Sequence, residues 1–278
     1  MSTAVIRRPR VVFSAGCVFF FILHLAALAA VVAIPWYPPG WGVLLTAVLL
    51  FVVRKFGITG GFHRYFSHRS FKTSRFFQFC LAYLGGMAAQ KGALWWAAHH
   101  RHHHQHSDEP EDLHSVKQHG FYWAHVGWIL SDEYCEYDGQ RVKDLTKYPE
   151  LVWLDKYHFV PPLTLAVACF AIGGWMGLLW AFCVSTVFLY HTTFCINSLC
   201  HLLGRRRFET GESSKNSFIM AILTLGEGWH NNHHHYPHCV RQGFKWWEFD
   251  PTYYAIKVLG WLRVVRDIKE PPKTLQMA

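Results

Sequence analysis

Gly226-Glu227-Gly228-Trp229-His230-Asn231-Asn232-His233-His234-His235-Tyr236-Pro237 is the stretch that sets what the rest of the chain must do. On a helix that advances about 100° per residue, steps of three and four return to one face, so His230, His233 and His234 share an arc of roughly 100°. Three imidazoles then point into one space. Crowded imidazoles do not charge cheaply, and neutral imidazole is the commonest metal ligand. Two upstream clusters resemble this one. His100-Arg101-His102-His103-His104 repeats the spacing with His100, His103 and His104, and His63-Arg64-Tyr65-Phe66-Ser67-His68 supplies a further pair.

Composition says where such clusters sit. The chain has 278 residues, 51% hydrophobic and only 16% charged, with 13 Trp, 22 Phe and 12 Tyr, which is the balance of a membrane protein. A net charge of +9 would suit nucleic acid, but the basic residues adjoin apolar runs instead of forming a patch, so no nucleic-acid partner is expected.

The apolar runs form two hairpins. Residues 11–34 are uncharged and long enough to cross a bilayer, longer than the roughly 7 to 15 apolar residues of a secretory signal. Pro35-Trp36-Tyr37-Pro38-Pro39-Gly40 turns the chain, and an apolar helix returns over 41–56, closed by Arg54 and Lys55. From Phe159 to Leu203 no charged residue occurs, too long for one crossing; a break near Gly173-Gly174-Trp175-Met176-Gly177 divides it into spans over 159–175 and 177–203.

Lys and Arg beside spans favour the cytoplasmic side. Arg7, Arg8 and Arg10, Arg54 and Lys55, Lys156, and Arg205 to Arg207 flank the four spans, whereas both hairpin turns are uncharged. The expected fold is therefore an all-α integral membrane protein of one domain, 1–278. Its four spans lie in two hairpins beneath a cytoplasmic helical cap made by 57–158 and 204–278, with both termini cytoplasmic. Residues 76–89 are apolar but short and read as an interfacial or re-entrant helix. A fifth crossing there would separate the first two histidine clusters.

With this topology all clusters meet on one side of the membrane. At the end of the fourth span, Asn197 and His201 are four apart on one helical face, a polar pair of the kind that marks function in a membrane helix. The shared-site set is His63, His68, His100, His103, His104, His201, His230, His233 and His234, too many for one ion's first shell and suited to two ions with four or five ligands each. Asn197 completes a shell directly or through water. Without a carboxylate in the clusters the donors suit Fe, Zn, Cu or Ni. The remaining histidines, among them His24, His99, His125 and His191, read as packing or supporting groups. The eight cysteines include no Cys-x-x-Cys pair and suggest no disulfide framework.

His63-x-x-x-x-His68, His100-x-x-His103-His104 and His230-x-x-His233-His234 resemble the three histidine boxes of the integral-membrane fatty acid desaturase and hydroxylase superfamily. The flanks Gly57-Ile58-Thr59-Gly60-Gly61-Phe62-His63-Arg64 and Gly226-Glu227-Gly228-Trp229-His230-Asn231, with Asn197-x-x-x-His201, resemble the acyl-CoA Δ9 desaturases. The likeness extends over about residues 40 to 255. It implies a non-haem centre of two Fe ions held by the nine histidines, with Asn197 holding a water near one of them. It further implies O₂ as co-substrate, removal of two hydrogens from adjacent methylenes of a long acyl chain, and a place in fatty acid biosynthesis. The acyl chain would lie in a tunnel between the spans and the cap.

No dinucleotide-binding, Cys-x-x-Cys or haem-attachment motif is present, so the electrons must come from a separate ferredoxin, rubredoxin or cytochrome b5 with its reductase. Arg205 to Arg207 offer such a carrier a basic face, although membrane topology explains them as well. Where the vertebrate acyl-CoA enzymes place an arginine against CoA, two positions before the second box, this chain has Ala98, which weakens the case for CoA and leaves an acyl-CoA, an acyl-lipid or an acyl-carrier-protein thioester as the expected substrate. A hydroxylase using the same centre is the alternative activity, and a membrane metal transporter the alternative of another class. Asp250 before Pro251 reads as a helix N-cap. Glu227, Asp108 and Asp250 are candidates to orient ligand imidazoles.

Overall fold

The computed structural model describes residues 15–272 and residue 275. The beginning of the expected first span, 11–14, and the flanking Arg7, Arg8 and Arg10 lie outside the described residues. Helix α1 (Ala15–Val32) leads into a turn over 33–37, and α2 (Trp41–Phe56) returns. Trp36, Tyr37 and Trp41 are exposed around that turn, as suits aromatic rings at the edge of a bilayer.

The second helix does not stop at its basic pair. It runs on through Gly57–Ser67 with wide π-type turns, so that Trp41–Ser67 is one apolar helix of 27 residues. Arg54 and Lys55, read from sequence as markers of a helix end, are instead fully buried. The Arg54 guanidinium donates to Ser185 Oγ and, at 2.6 Å, to Thr186 Oγ1, while Lys55 Nζ donates to Thr193 Oγ1 at 2.9 Å. Continuation of the helix leaves these cations facing a neighbouring helix, where hydroxyls satisfy them.

The wide turns need room that glycine supplies. A Cβ on Gly57 would sit 2.7 Å from Gly85 N, in α3 (Arg75–Gly86), which crosses it. Gly57→Val is therefore expected to destabilise the protein by more than the roughly 1–3 kcal/mol of ordinary overpacking, because backbone must move. Thermal unfolding of the detergent-solubilised variant against wild type measures this.

Helix α3 is too short to cross a bilayer. Helix α4 (Ala93–His106) starts without a cap of its own; Asp155 Oδ1 accepts from Leu94 N and Trp95 N, each at 3.0 Å, and so ties it to α6 (Pro149–Lys156). Between them α5 (Phe121–His125) lies against the later membrane segment. Helix α7 (Val160–Met176) breaks at Gly174, with φ 56° and ψ −150°, inside the stretch where the sequence places the turn. The chain then packs back on α7 through π-type turns over Gly177–Val184 and enters α8 (Ser185–Asn197).

Val160–Leu202 and Trp41–Ser67 are the two helical stretches among the described residues that are long and apolar enough to cross a membrane; α1 is a shorter apolar helix. Leu25, Leu45, Val48, Val167 and Ile172 face outward, an apolar surface that water would penalise and lipid would not. Short helices α9 (Phe218–Leu223) and α10 (His230–His235) follow, then α11 (Pro251–Trp261), where Asp250 accepts from Tyr253 N as the expected N-cap. Strands β1 (Lys72–Thr73) and β2 (Val265–Arg266) pair antiparallel and fasten the end of the chain beside the first box.

Candidate metal centre

His68 lies five positions after His63, a step that an α-helix would turn to different faces. The π-type turn removes the conflict. His68 N donates to His63 O at 3.1 Å, an i to i+5 bond, and the two rings come within 4.8 Å. On α4 and α10 the spacing works as expected from α-helical geometry, but each helix divides its histidines between two places.

His63, His68, His100, His104 and His233 form one group; His103, His201, His230 and His234 form the other. Thus α4 gives the i, i+4 pair His100 and His104 to the first and His103 to the second, whereas α10 gives His233 to the first and the pair His230 and His234 to the second. Stacking of His104 on His234, centroids 4.4 Å apart, places the groups side by side. All nine sequence-derived histidines are present, five and four.

Asn197 lies near these groups on the second long apolar stretch. It ends α8, half-buried, on the wall of a cavity that also includes His100. His201 follows in the short turn Leu199–Leu202 of the same helical stretch, tightened where His201 N donates to Ser198 O.

Ring nitrogens converge within both groups. His63 Nε2 lies 3.0 Å from His233 Nε2, which lies 2.9 Å from His104 Nε2; His68 and His100 meet at 2.8 Å. In the second group His230 Nε2 is 3.1 Å from both His201 Nε2 and His234 Nε2. Two of the outward nitrogens are held by carboxylates. His63 Nδ1 donates to Glu227 Oε2 at 2.5 Å, and His103 Nδ1 donates to Asp112 Oδ1 at 2.9 Å. Each of these rings then presents a bare Nε2 inward, and His103 Nε2 is buried without a hydrogen-bond partner. Lone pairs facing one another in a buried space call for a cation.

Electrostatics agree with that reading. Burial first, and then the charges of neighbouring imidazoles, hold His68, His100, His104, His230, His233 and His234 well below the ordinary histidine range. Neutral nitrogen donors in this number fit a transition metal or zinc and not the hard cations that prefer oxygen. His103 shifts the other way: burial opposes its charging, but Asp112 together with Glu212 and Asp108 outweighs burial and raises it. Glu227 is lowered because Arg64 and His63 prevail over its burial. Arg64 Nη1 reaches Glu227 Oε1 at 2.9 Å and Nη2 reaches Asp250 Oδ1 at 3.0 Å, so one buried guanidinium braces the carboxylate that orients a ligand ring.

A cavity of about 740 Å³ opens beside His100. Trp96 and Asn197 line it near the first histidine group, and Phe182, Tyr190 and Phe194 line it among the membrane helices.

The fatty acid desaturase family model matches residues 35–259. The chain belongs to the fatty acid desaturase family. The sn-2 palmitoyl-lipid 9-desaturase of Nostoc is 35% identical over 261 residues, 92% of this chain and 90% of that protein. The sn-1 stearoyl-lipid 9-desaturase of Synechocystis is 36% identical over 276 residues, 96% of this chain and 84% of that protein. The icosanoyl-CoA 5-desaturase of Limnanthes douglasii is 37% identical over 261 residues, 92% and 72% respectively. The protein is accordingly a fatty acyl desaturase, an oxidoreductase of lipid metabolism.

Several groups around the desaturase centre carry no sequence signal of their own. Asp112 and Glu212 lie in irregular segments, where no periodicity marks an inward residue, yet Asp112 holds His103 and Glu212 lies 3.7 Å and 3.8 Å from the Nδ1 atoms of His201 and His234. Of the three carboxylates singled out from sequence, Glu227 touches a histidine of the set. Asp108 acts a step further out through Ser213 N, and Asp250 contacts Arg64. His24, His191 and His125 hydrogen-bond in a row, 3.1 Å and 3.0 Å apart, and join α1, α8 and α5. Arg207, offered as part of a docking face, is exposed and pairs with the buried Glu248.

Proposed function

We propose that the nine histidines hold two Fe ions, five at one and four at the other, with Asn197 placing a water near one of them, and that the protein inserts a cis double bond at Δ9 of a long saturated acyl chain. The observation that carries this reading is the convergence of bare, neutral imidazole nitrogens at the wall of an apolar cavity. The relatives named as 9-desaturases support the regiochemistry. The same reading has four spans over 11–34, 41–56, 159–175 and 177–203, with both termini and the metal-bearing cap in the cytoplasm, and Lys156 and Arg205 to Arg207 beside the later spans support that orientation.

When bound, the metal pair supplies the oxidising power drawn from O₂ that an unactivated C–H bond requires. The chain's own residues do the rest. Two hydrogens from the acyl chain, two electrons and two protons convert O₂ to two waters, and the electrons come from a separate ferredoxin, rubredoxin or cytochrome b5. Glu227 and Asp112 keep the Nδ1 hydrogens of His63 and His103 outward, so that their Nε2 lone pairs remain available. Phe182, Tyr190 and Phe194 surround the chain with apolar surface that excludes water. Trp96 stacks on His100, centroids 4.8 Å apart, and presents a rigid wall where the chain passes that ligand.

Expression with a competent electron donor in a host lacking its own desaturase tests the reading through the fatty acid profile. Monounsaturated acids with the double bond at carbon 9 are expected. Hydroxylated acids, or no new product from a protein loaded with two irons and supplied with electrons, would overturn it.

A further inference from the structure

Helix α11 is apolar on two opposite faces, and packing within the chain accounts for one of them. Thr252 and Ile256 are buried and Leu259 packs against the core, a single stripe at helical spacing. On a cap helix the far side is expected to be polar. Tyr254, Val258, Trp261 and Leu262 stand there instead, all of them exposed, Trp261 by 82%. Contiguous apolar surface of this kind marks a face that something covers.

The position of the helix points to the cover. The hydroxyls of Thr252 and Thr59 hydrogen-bond at 2.7 Å, so α11 starts against the continuation of α2, a short way past the outward-facing Val52 and Val53. Strand β2 follows α11 and pairs with β1, which leads into α3, where Phe76 is exposed. Helix α9 packs on α8 and exposes Phe218, Ile219 and Ile222. Exposed apolar side chains thus continue from the membrane helices onto the base of the cap. Aromatic and aliphatic side chains beside basic ones on one helix face are the pattern of a helix lying in a bilayer interface.

A groove of about 600 Å³ opens at the C-terminal end of that face, lined by Lys257, Trp261, Arg263, Arg266 and Asp267 among others. Asp267 already pairs with Lys72 at 2.8 Å, and Lys257 with Glu270 at 2.8 Å. Arg263 and Arg266 are exposed and, among the described residues, have no carboxylate within ion-pair distance. The segment that carries them is fixed, because Lys269 N donates to Ser70 O and Val240 N to Lys269 O, each at 2.8 Å. Two guanidiniums without an acidic partner, beside an indole on a lipid-level face, match a phosphate with acyl chains attached. The planar fork of arginine donates to two phosphate oxygens at once.

We propose that this groove binds the phosphate of an anionic glycerophospholipid, with Trp261 and the outer face of α11 set into the surrounding bilayer interface. The cap is then seated on the membrane at a point separate from the spans. The proposal uses neither the metal centre nor the cavity beside His100, so it stands or falls apart from the desaturase reading.

The test reads binding and not turnover. The full chain in detergent is titrated with phosphatidylglycerol or phosphatidylcholine, and lipid adducts are followed by native mass spectrometry. Phosphatidylglycerol is expected to bind the tightest site in preference to phosphatidylcholine. Arg263→Gln combined with Arg266→Gln, both at exposed positions that folding does not need, should weaken it about thirtyfold, since each basic side chain near an anionic surface contributes roughly a fivefold factor. Lys143→Gln, at an exposed cation elsewhere on the cap, should leave it unchanged. In nanodiscs containing phosphatidylglycerol, a p-benzoylphenylalanine placed at Val258 should cross-link to lipid on irradiation. Equal binding of the two lipids, undiminished binding in the double variant, or displacement by an equal concentration of glycerol 3-phosphate would overturn the proposal. Cross-links from position 258 to protein alone, whether another protein or a second copy of the chain, would overturn it as well.

Discussion

His233→Ala is expected to lower turnover by far more than the roughly 10–100-fold typical of losing a group that only orients a ligand, while membrane insertion stays intact. The reason is geometric. His233 Nε2 faces both His63 Nε2 and His104 Nε2, at 3.0 Å and 2.9 Å, so its removal opens the first group at its centre. It lies in the cap segment on α10, outside both long apolar helices, so the change leaves every membrane segment untouched. Product formation per unit of membrane-inserted protein checks this, and wild-type rates in the variant would remove His233 from the ligand set.

Glu227→Ala carries the second large effect, on stability as well as on metal binding. The carboxylate is buried, accepts from His63 Nδ1, and pairs with a guanidinium that is itself almost wholly buried. Removing it leaves Arg64 with Asp250 as its remaining acidic partner and His63 without its acceptor. Breaking a buried pair from one side costs about 3–5 kcal/mol. Glu227→Gln keeps the volume and one acceptor, so it should unfold closer to wild type yet lose about 10–100-fold in metal affinity. Thermal unfolding of the metal-free variants, together with metal titration, separates the two effects. Equal stability of Glu227→Ala and wild type would mean that the Arg64 pair contributes little.

The histidine boxes were legible because two of the three obey α-helical spacing and because nine imidazoles outnumber any bland explanation. Two sets of four or five ligands were expected, but which imidazole joins which set was not legible, since residues at i+3 and i+4 on one helix serve different groups, which only the approach of α4 to α10 decides. The turn at Gly174 was legible from the glycine cluster, and the Asp250 cap from the proline beside it. The π-type continuation of α2 left no periodic trace. As a result Arg54 and Lys55 looked like a charged terminus when they are buried cations answered by hydroxyls on α8. Asp112, Glu212 and the Asp155 cap on α4 act through tertiary contacts from distant or irregular segments, and no local pattern announces such residues.

These imidazoles are expected to hold two metal ions. The most direct measurement is iron per chain, by elemental mass spectrometry, in wild type and His233→Ala purified side by side. Two irons in the wild type and a loss of about one in the variant are predicted. A wild type that binds no iron under conditions where it desaturates, or a variant that retains both ions, would contradict it.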